Sequence, residues 1–425
     1  MKSISYVDKK YDGELAASWI DGIAKRILVG IFSRMQRGHL TIVDSGEVMV
    51  FGAPLSQGEI TAHVVVLHPS FYRYVLFGGT TGSGEAYMVN AWQSPDLTQV
   101  IRVMVQNLDV IKRMDSGIHR LYGWLGTLLH KFNENSKDGA RRNIAAHYDL
   151  SNDFFSLFLD PLMMYSSAVY PTATATLDQA AAHKLQRVCE RLQLQPSDHL
   201  LEIGTGWGGL AVYAAQKFGC RVTSITISEA QYTAACARVK DAGLESQISI
   251  RLCDYRDMQG QFDKLVSIEM IEAVGYQYYP AYFAKCSQLL KPQGFMLIQA
   301  ITIPHERFEA GRNSMDFIRR YIFPGGCLPS QLEIVRNLSM HTDMELIDFV
   351  DITADYARTL AAWKTRFFSN LNQVKELGFD EVFVRMWDFY LSYCEGGFTE
   401  RVIGTAQFVF AKPHARLSAA VTAPV

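Results

Sequence analysis

The chain lacks the patterns that would place it outside a reducing compartment or inside a bilayer. Its seven cysteines, Cys189, Cys220, Cys236, Cys253, Cys286, Cys327 and Cys394, form no C-x-x-C pair and are odd in number. That spacing argues against a disulfide framework or a zinc site and for a reducing cytosol. Met1 to Lys10 carry no apolar run of the kind a secretory signal needs. No uncharged stretch has the length of a membrane span. Charge of one sign is absent too: 41 Lys and Arg against 43 Asp and Glu leave a formal net charge of −2. Nothing therefore draws the whole chain to nucleic acid or to anionic lipid, and any such attraction has to be local. What is present, 48% hydrophobic and 20% charged residues over 425 positions, suits a globular protein of two or three domains.

The most informative segment runs from Leu200 to Gly209. Apolar residues lead into Gly204-Thr205-Gly206-Trp207-Gly208-Gly209, with Glu202 just ahead of the first glycine. Helical spacing resumes at Leu210, Tyr213, Ala214 and Phe218. This reads as a buried strand, a tight loop and a helix opening a nucleotide-type site, whose N-terminus offers free N–H groups. A dinucleotide site wants an acid closing the next strand, about 20 residues on. That strand, from Cys220 to Ser228, ends in hydroxyls, and its first acid, Glu229, belongs to the following helix. S-adenosylmethionine (SAM) fits better than NAD: it has no pyrophosphate to cradle, and Glu202 suits its ammonium through a water.

The N-terminal part reads as α+β. Residues 14–37 suggest an amphipathic helix with Leu15, Trp19, Ile20, Ile23, Ile27, Ile31 and Met35 on one face. Lys25, Arg26, Arg34 and Arg37 share the other face, a pattern found both in docking helices and in helices lying on membranes. Period-two runs at Leu40–Val43, Val48–Phe51, Ala62–Leu67 and Tyr74–Phe77 predict short strands. Gly78 to Gly84 reads as a loop after the last of them. A helix follows with Leu97, Val100, Ile101, Met104, Leu108 and Ile111 in register. The expected division is an N-terminal domain over 1–130, a polar linker over 131–143, a second domain over 144–412 and a tail over 413–425.

In the second domain a capping box, Thr176 to Gln179, opens a helix to Leu192. Strands at Leu200–Ile203, Arg221–Ile227, Ile248–Leu252, Lys264–Ile268 and Gly294–Ile301 then alternate with helices. The pattern implies a doubly wound, mostly parallel α/β sheet with ligands at the strands' carboxyl ends. One such end carries Glu269 and Glu272, three apart; on a helical turn both face one side, and one can serve as a base or hold one. Aromatics mixed with polar groups over His147–Phe155 and Met163–Tyr170 suit a cover for the site as well as plain packing.

From Asn143 to Lys412 the chain resembles the cyclopropane-fatty-acyl-phospholipid synthase family, SAM-dependent enzymes related to the mycolic acid cyclopropane synthases. The resemblance lies in His147-Tyr148-Asp149, Phe154-Phe155, Tyr165-Ser166, Glu202 to Gly209, Thr226 to Gln231, Asp254 to Asp257, Glu272 before Val274-Gly275, Tyr321 to Pro329 and Tyr356. The N-terminal part resembles the accessory lipid-handling domain of longer members, in Gly84 to Met88 and Trp92. It implies a class I SAM-methyltransferase fold and methylene transfer to the cis double bond of a phospholipid acyl chain. The resemblance further implies a reaction through a carbocation that a bound bicarbonate deprotonates.

By the same resemblance, Tyr165, Ser166, Gly204, Gly206, Thr226, Gln231 and Tyr255 contact the cofactor, with Glu202, Thr205, Gly208, Ile227, Ser228, Asp254 and Arg256 beside them. His147, Glu272, Ile301 and Tyr356 map to the bicarbonate pocket. Ser167 stands where the best-known members carry cysteine, Gln299 where they carry histidine, and Glu269 where they carry glycine. Glutamine cannot become an imidazolium, so the charge balance around an anion changes. These departures motivate an alternative, methyl-branched or methylene products without ring closure. A non-catalytic lipid-binding protein is the reading from another class. The expected partners are a phospholipid bilayer, met through helix 14–37 or the Arg312, Arg319, Arg320 cluster, and a second copy in a homodimer; nucleic acid is not expected. The expected location is cytoplasmic, at the inner face of the cell membrane, and no metal is expected.

Overall fold

The structure, a computed structural model, describes residues 17–55, 59–111, 150–312 and 314–416. These fall into two compact units. One gathers the described residues of Met1–Phe132 with Asn313–Pro324 and Leu360–Val402; the other gathers those of Asn133–Arg312, Gly325–Thr359 and Ile403–Val425. The units are therefore not the consecutive segments that composition suggested. Specific pairs recruit the later segments to the first unit. Glu85 accepts a hydrogen bond from the Tyr321 hydroxyl at 2.7 Å and pairs with Arg320 at 3.1 Å. Tyr87 donates to buried Asp388 at 2.6 Å, and Arg102 pairs with Glu400 at 2.7 Å.

In the first unit β1 (His39–Asp44) and β2 (Glu47–Gly52) form a hairpin. Ser45 and Gly46 both take positive φ, as a two-residue turn of this hand requires. β3 (Thr61–Val66) lies parallel to β1, and the short β4 (Trp92–Gln93) closes the order β2-β1-β3-β4. The helix Trp19–Phe32 opens with a Ser18–Asp21 capping box. It buries Ala24, Leu28 and Phe32, while Trp19, Ile23 and Ile27 remain 77%, 45% and 41% exposed. Lys25 is held by Asp44 and Glu47 at 2.7 and 2.9 Å, so it is not part of an open basic face. Tyr74–Phe77, expected as a strand, lies inside the helix Ser70–Met88. The helix bends at Gly79 (φ 52, ψ −134). Past the bend Gly82 lies so close to the Tyr74 carbonyl that a Cβ would sit 1.9 Å from its oxygen. Of the glycines that read as a loop, Gly82 serves that approach, Gly79 takes the positive φ, and Gly84 lies against Phe317, whose ring a Cβ would meet at 2.5 Å.

The second unit contains β5 (His199–Ile203), β6 (Arg221–Thr226), β7 (Ile248–Leu252), β8 (Phe262–Ile268), β9 (Leu290–Thr302), β10 (Glu345–Asp351) and β11 (Gly404–Ala411). Their order is β10-β11-β9-β8-β5-β6-β7, parallel from β9 through β7, with β11 alone reversed, antiparallel to both β9 and the edge strand β10. Alternate residues feed two cores, Leu201, Leu265, Met296 and Phe408 on one face, Leu200, Val266, Leu297 and Val409 on the other. Both faces are thus buried, as a doubly wound sheet demands. Glu202 and Glu269 therefore sit at or just past neighbouring strand ends, where such sheets bind ligands.

Candidate active site

The glycine loop leaves β5 with Gly204, Gly206 and Gly208 at φ 100, 52 and 81. Gly204 and Thr205 N–H groups anchor to the Ile225 carbonyl at 3.0 and 3.1 Å, which fixes the loop to β6. A Cβ on Gly209 would stand 2.2 Å from the Leu162 carbonyl oxygen, so the helix it opens is in backbone contact with the turn that carries Met164. Over the loop, Phe155 packs on Trp207 and on Tyr165 with ring centroids 5.1 and 5.2 Å apart. The Trp207 indole donates to Asn152 at 2.7 Å. The aromatic segment before the sheet is thus a cover for the loop.

Below the loop Glu202 is buried and accepts from the Ser224 hydroxyl at 2.5 Å, itself within 2.7 Å of the Thr205 hydroxyl. Burial pushes the Glu202 carboxyl up to about 8, against the pull of that bond and of the Lys184 charge. At the ends of β6 and β7 the expected cofactor residues hold one another. Thr226 donates to Gln231 at 3.1 Å, Ser228 caps the helix Glu229–Asp241, and Asp254 pairs with Arg256 at 2.7 Å, whose guanidinium lies over Tyr255.

The end of β8 holds the main surprise. Glu269, at φ +48, is part-buried, with both carboxylate oxygens engaged. Its Oε1 accepts from the Ser167 N–H at 2.9 Å and the Gln299 amide at 2.8 Å, and its Oε2 from the Tyr356 hydroxyl at 2.8 Å. Glu272, in the 3₁₀ turn Ile271–Ala273, accepts from the Ile301 N–H at 2.5 Å through Oε1. Its Oε2 is buried with no hydrogen-bond partner among the described residues. Of the residues mapped to the bicarbonate pocket, Tyr356 donates to Glu269, and Ile301 to Glu272. Ser167 acts through its backbone, since its hydroxyl donates to the Ala168 carbonyl at 2.9 Å. The departure from cysteine there changes no group facing Glu269. Ile301 likewise contributes only an N–H.

The Gln299 amide is oriented by a chain of donors. Arg191, which can only donate, gives a bond of 2.9 Å to Gln407 Oε1. Gln407 then donates to Gln299 Oε1 at 3.0 Å, which turns the Gln299 NH₂ toward Glu269. Lys184, unremarked in the sequence, is fully buried and donates to the Ser166 hydroxyl at 3.0 Å. Burial lowers its ammonium to about 8, while Glu269, Asp160 and Glu202 draw it back up. Burial and then the Glu269 charge push Glu272 up to about 8. Glu269, also raised by burial, is held toward its ionised form by its donors and by Lys184. His147 lies outside the described residues, as do the linker and the tail beyond residue 416. The expected arginine cluster is engaged: Arg312 pairs with Glu309 at 3.4 Å, Arg320 with Glu85, and Arg319 donates to the Ser314 carbonyl.

Comparison with known proteins places this geometry in context. Residues 135–408 match the family model described as mycolic acid cyclopropane synthetase. The chain is 43% identical over 337 residues to tuberculostearic acid methyltransferase of Mycobacterium tuberculosis, covering 78% of each. It is 38% identical over 359 residues to the cyclopropane-fatty-acyl-phospholipid synthase of Escherichia coli K12, covering 84% of this chain and 89% of that one. Among solved structures, a mycolic acid cyclopropane synthase complexed with SAH and CTAB superposes with a TM-score of 0.60 at 31% identity, over 64% of this chain and 98% of that one. The cyclopropane synthase MmaA2 of Mycobacterium tuberculosis gives the same TM-score, 0.60, at 28% identity over the same shares, 64% and 98%.

Proposed function

Because the chain belongs to the mycolic acid cyclopropane synthetase family and is a SAM-dependent methyltransferase, we propose that it builds a cyclopropane ring on the cis double bond of an unsaturated phospholipid acyl chain. Lipid alkylation is common ground among its relatives; the phospholipid and the ring closure are this reading's own. The observation that carries it is the part-buried carboxylate pair Glu269 and Glu272 just past the end of β8, beside the glycine loop, both raised by burial of their carboxyls. The two are linked through Met270, whose side chain would lie 3.5 Å from a Cβ on Gly204.

The residues present fit SAM. Gly206 has open space where a side chain would stand, and the buried Glu202 carboxylate gains from a cation that favours its charged form. Gly204, Thr205, Gly206, Gly208 and Glu202 would hold it, with Tyr165, Ser166, Thr226, Ile227, Ser228, Gln231, Asp254, Tyr255 and Arg256 around them. When bound it supplies an activated methyl that an alkene can attack. The apolar, aromatic surroundings exclude water that would trap the resulting carbocation. Bicarbonate fits less well: the Ser167 N–H, the Gln299 amide and the Tyr356 hydroxyl already bond to Glu269.

Access to acyl chains calls for surface contact with a bilayer, since no helix among the described residues is long and apolar enough to cross one. Exposed Trp19, Ile23 and Ile27, with Arg26 alongside, support such contact by the helix Trp19–Phe32. A homodimer working at the inner face of the cell membrane completes the proposal. Methyl-labelled SAM with vesicles of unsaturated phospholipid tests it. Label in the acyl chain supports alkylation, loss of the double bond with it fits the ring, and unlabelled lipid overturns both. NMR of the product separates a ring from the second reading, a methyl-branched or methylene chain, which the 43% identity to a methyltransferase favours.

A further inference from the structure

We infer that the Glu269 carboxylate is the base of this enzyme, built into the chain where an exogenous oxyanion would otherwise be required. The inference rests on the reading of the site as one that alkylates an acyl-chain double bond. Its donors come from widely separated parts of the sequence: Ser167 before the sheet, Gln299 on β9 and Tyr356 on the helix Thr353–Ser369. A carboxylate accepts only, so donors converging from three directions define a site for an anion. The Arg191–Gln407–Gln299 chain fixes the one donor whose orientation could reverse. Glu269 occupies this pocket at φ +48, a backbone conformation that favours glycine. Such a conformation persists where the surroundings over-determine it, and it gathers at functional sites.

The charges agree with the geometry. The buried Lys184 acts on Glu269 as a compensating cation, the part that an imidazolium could take if residue 299 were histidine. Burial and the Glu269 charge push the neighbouring Glu272 carboxyl up to about 8, toward its neutral form. Oε1 receives two donors and Oε2 receives the Tyr356 hydroxyl, which leaves Oε2 a lone pair to take a proton. In the step, a C–H bond of the methyl newly joined to the acyl chain breaks and its proton passes to Oε2. The electron pair of that bond forms the C–C bond to the cationic carbon and closes the ring. After product release the neutral carboxyl returns the proton to water and is a carboxylate again.

The test follows labelled-methyl transfer to unsaturated phospholipid vesicles, in buffer stripped of CO₂ and in buffer with bicarbonate added. Wild type is expected to turn over at the same rate in both. Glu269→Gly suits the backbone at φ +48 and opens the donor set. Its rate in stripped buffer is expected to fall at least ~100-fold, the scale of a lost general base. Added bicarbonate or formate should restore part of it saturably. Glu269→Gln, which fills the pocket with an amide, should be as slow and unrescued. SAM binding measured by calorimetry shows whether the variants are folded, and if they are not, the wild-type comparison alone decides. A wild-type rate that collapses without CO₂ and returns with bicarbonate overturns the inference while leaving the alkylation reading standing. So does a Glu269→Gly variant at full rate in stripped buffer. No label in lipid under any condition overturns the alkylation reading and the inference with it.

Discussion

Replacing Glu202 with glutamine isolates the electrostatics of the cofactor loop. The carboxyl is buried, bonded to Ser224 at 2.5 Å and pushed by burial up to about 8 from an ordinary value of 4.5. Between those values the folded chain keeps a proton that the unfolded chain has released. A raised carboxyl of this kind leaves stability intact below the unfolded value and withdraws it as pH rises through the folded one. Each pH unit inside the window costs about 1.4 kcal/mol, and the whole window on the order of 4–5 kcal/mol as an upper bound. Glutamine keeps the shape and never ionises, so this part of the pH dependence disappears. Thermal or urea unfolding at pH 5, 6, 7 and 8 should show Glu202→Gln gaining on wild type at every step upward. SAM should reverse the trend in wild type, because its positive charge favours the ionised carboxyl: its stabilising effect grows toward pH 8, and in the variant it does not. Wild-type and variant stabilities that run parallel across this range would refute the reasoning.

Lys184→Met removes the cation that offsets Glu269. The acid limb of the pH–rate profile should move to higher pH, with kcat falling more at pH 6 than at pH 8; an unmoved limb contradicts the role. Gly209→Ala drives a Cβ to within 2.2 Å of the Leu162 carbonyl oxygen. Overpacking of that kind costs about 1–3 kcal/mol, and both melting temperature and SAM affinity should fall. Replacing Trp19, Ile23 and Ile27 together by serine should weaken vesicle flotation and raise the apparent KM for vesicle substrate. SAM affinity should stay at the wild-type value, and unchanged flotation would remove this helix from the membrane contact.

The parallel sheet was legible because strands buried on both faces read as unbroken apolar runs, Leu200 to Ile203 foremost. The glycine loop and the Thr176–Gln179 capping box were legible for the same local reason, that spacing alone dictates them. Tyr74–Phe77 was misread because four alternating residues before a glycine cluster carry a strand's pattern, while the partner of those glycines is decided by tertiary approach. The segments that join the first unit from beyond residue 312 leave no local mark, since their reasons are single long-range pairs such as Tyr87 with Asp388. At the site, two acids three apart were visible, but not which of them the donors would serve. That depends on a positive φ at Glu269 and on which donors converge from β9 and the helix Thr353–Ser369. Lys184 did carry a signal: it falls on the buried stripe of Ala180, Ala181, Leu185 and Val188, where a charge needs a partner.

The measurement closest to the central claim is the rate at which wild type moves label from methyl-labelled SAM into unsaturated phospholipid, compared with and without bicarbonate. The account predicts labelled, ring-bearing acyl chains at equal rates in both buffers. Unlabelled lipid, or transfer that proceeds only when bicarbonate is supplied, would contradict it.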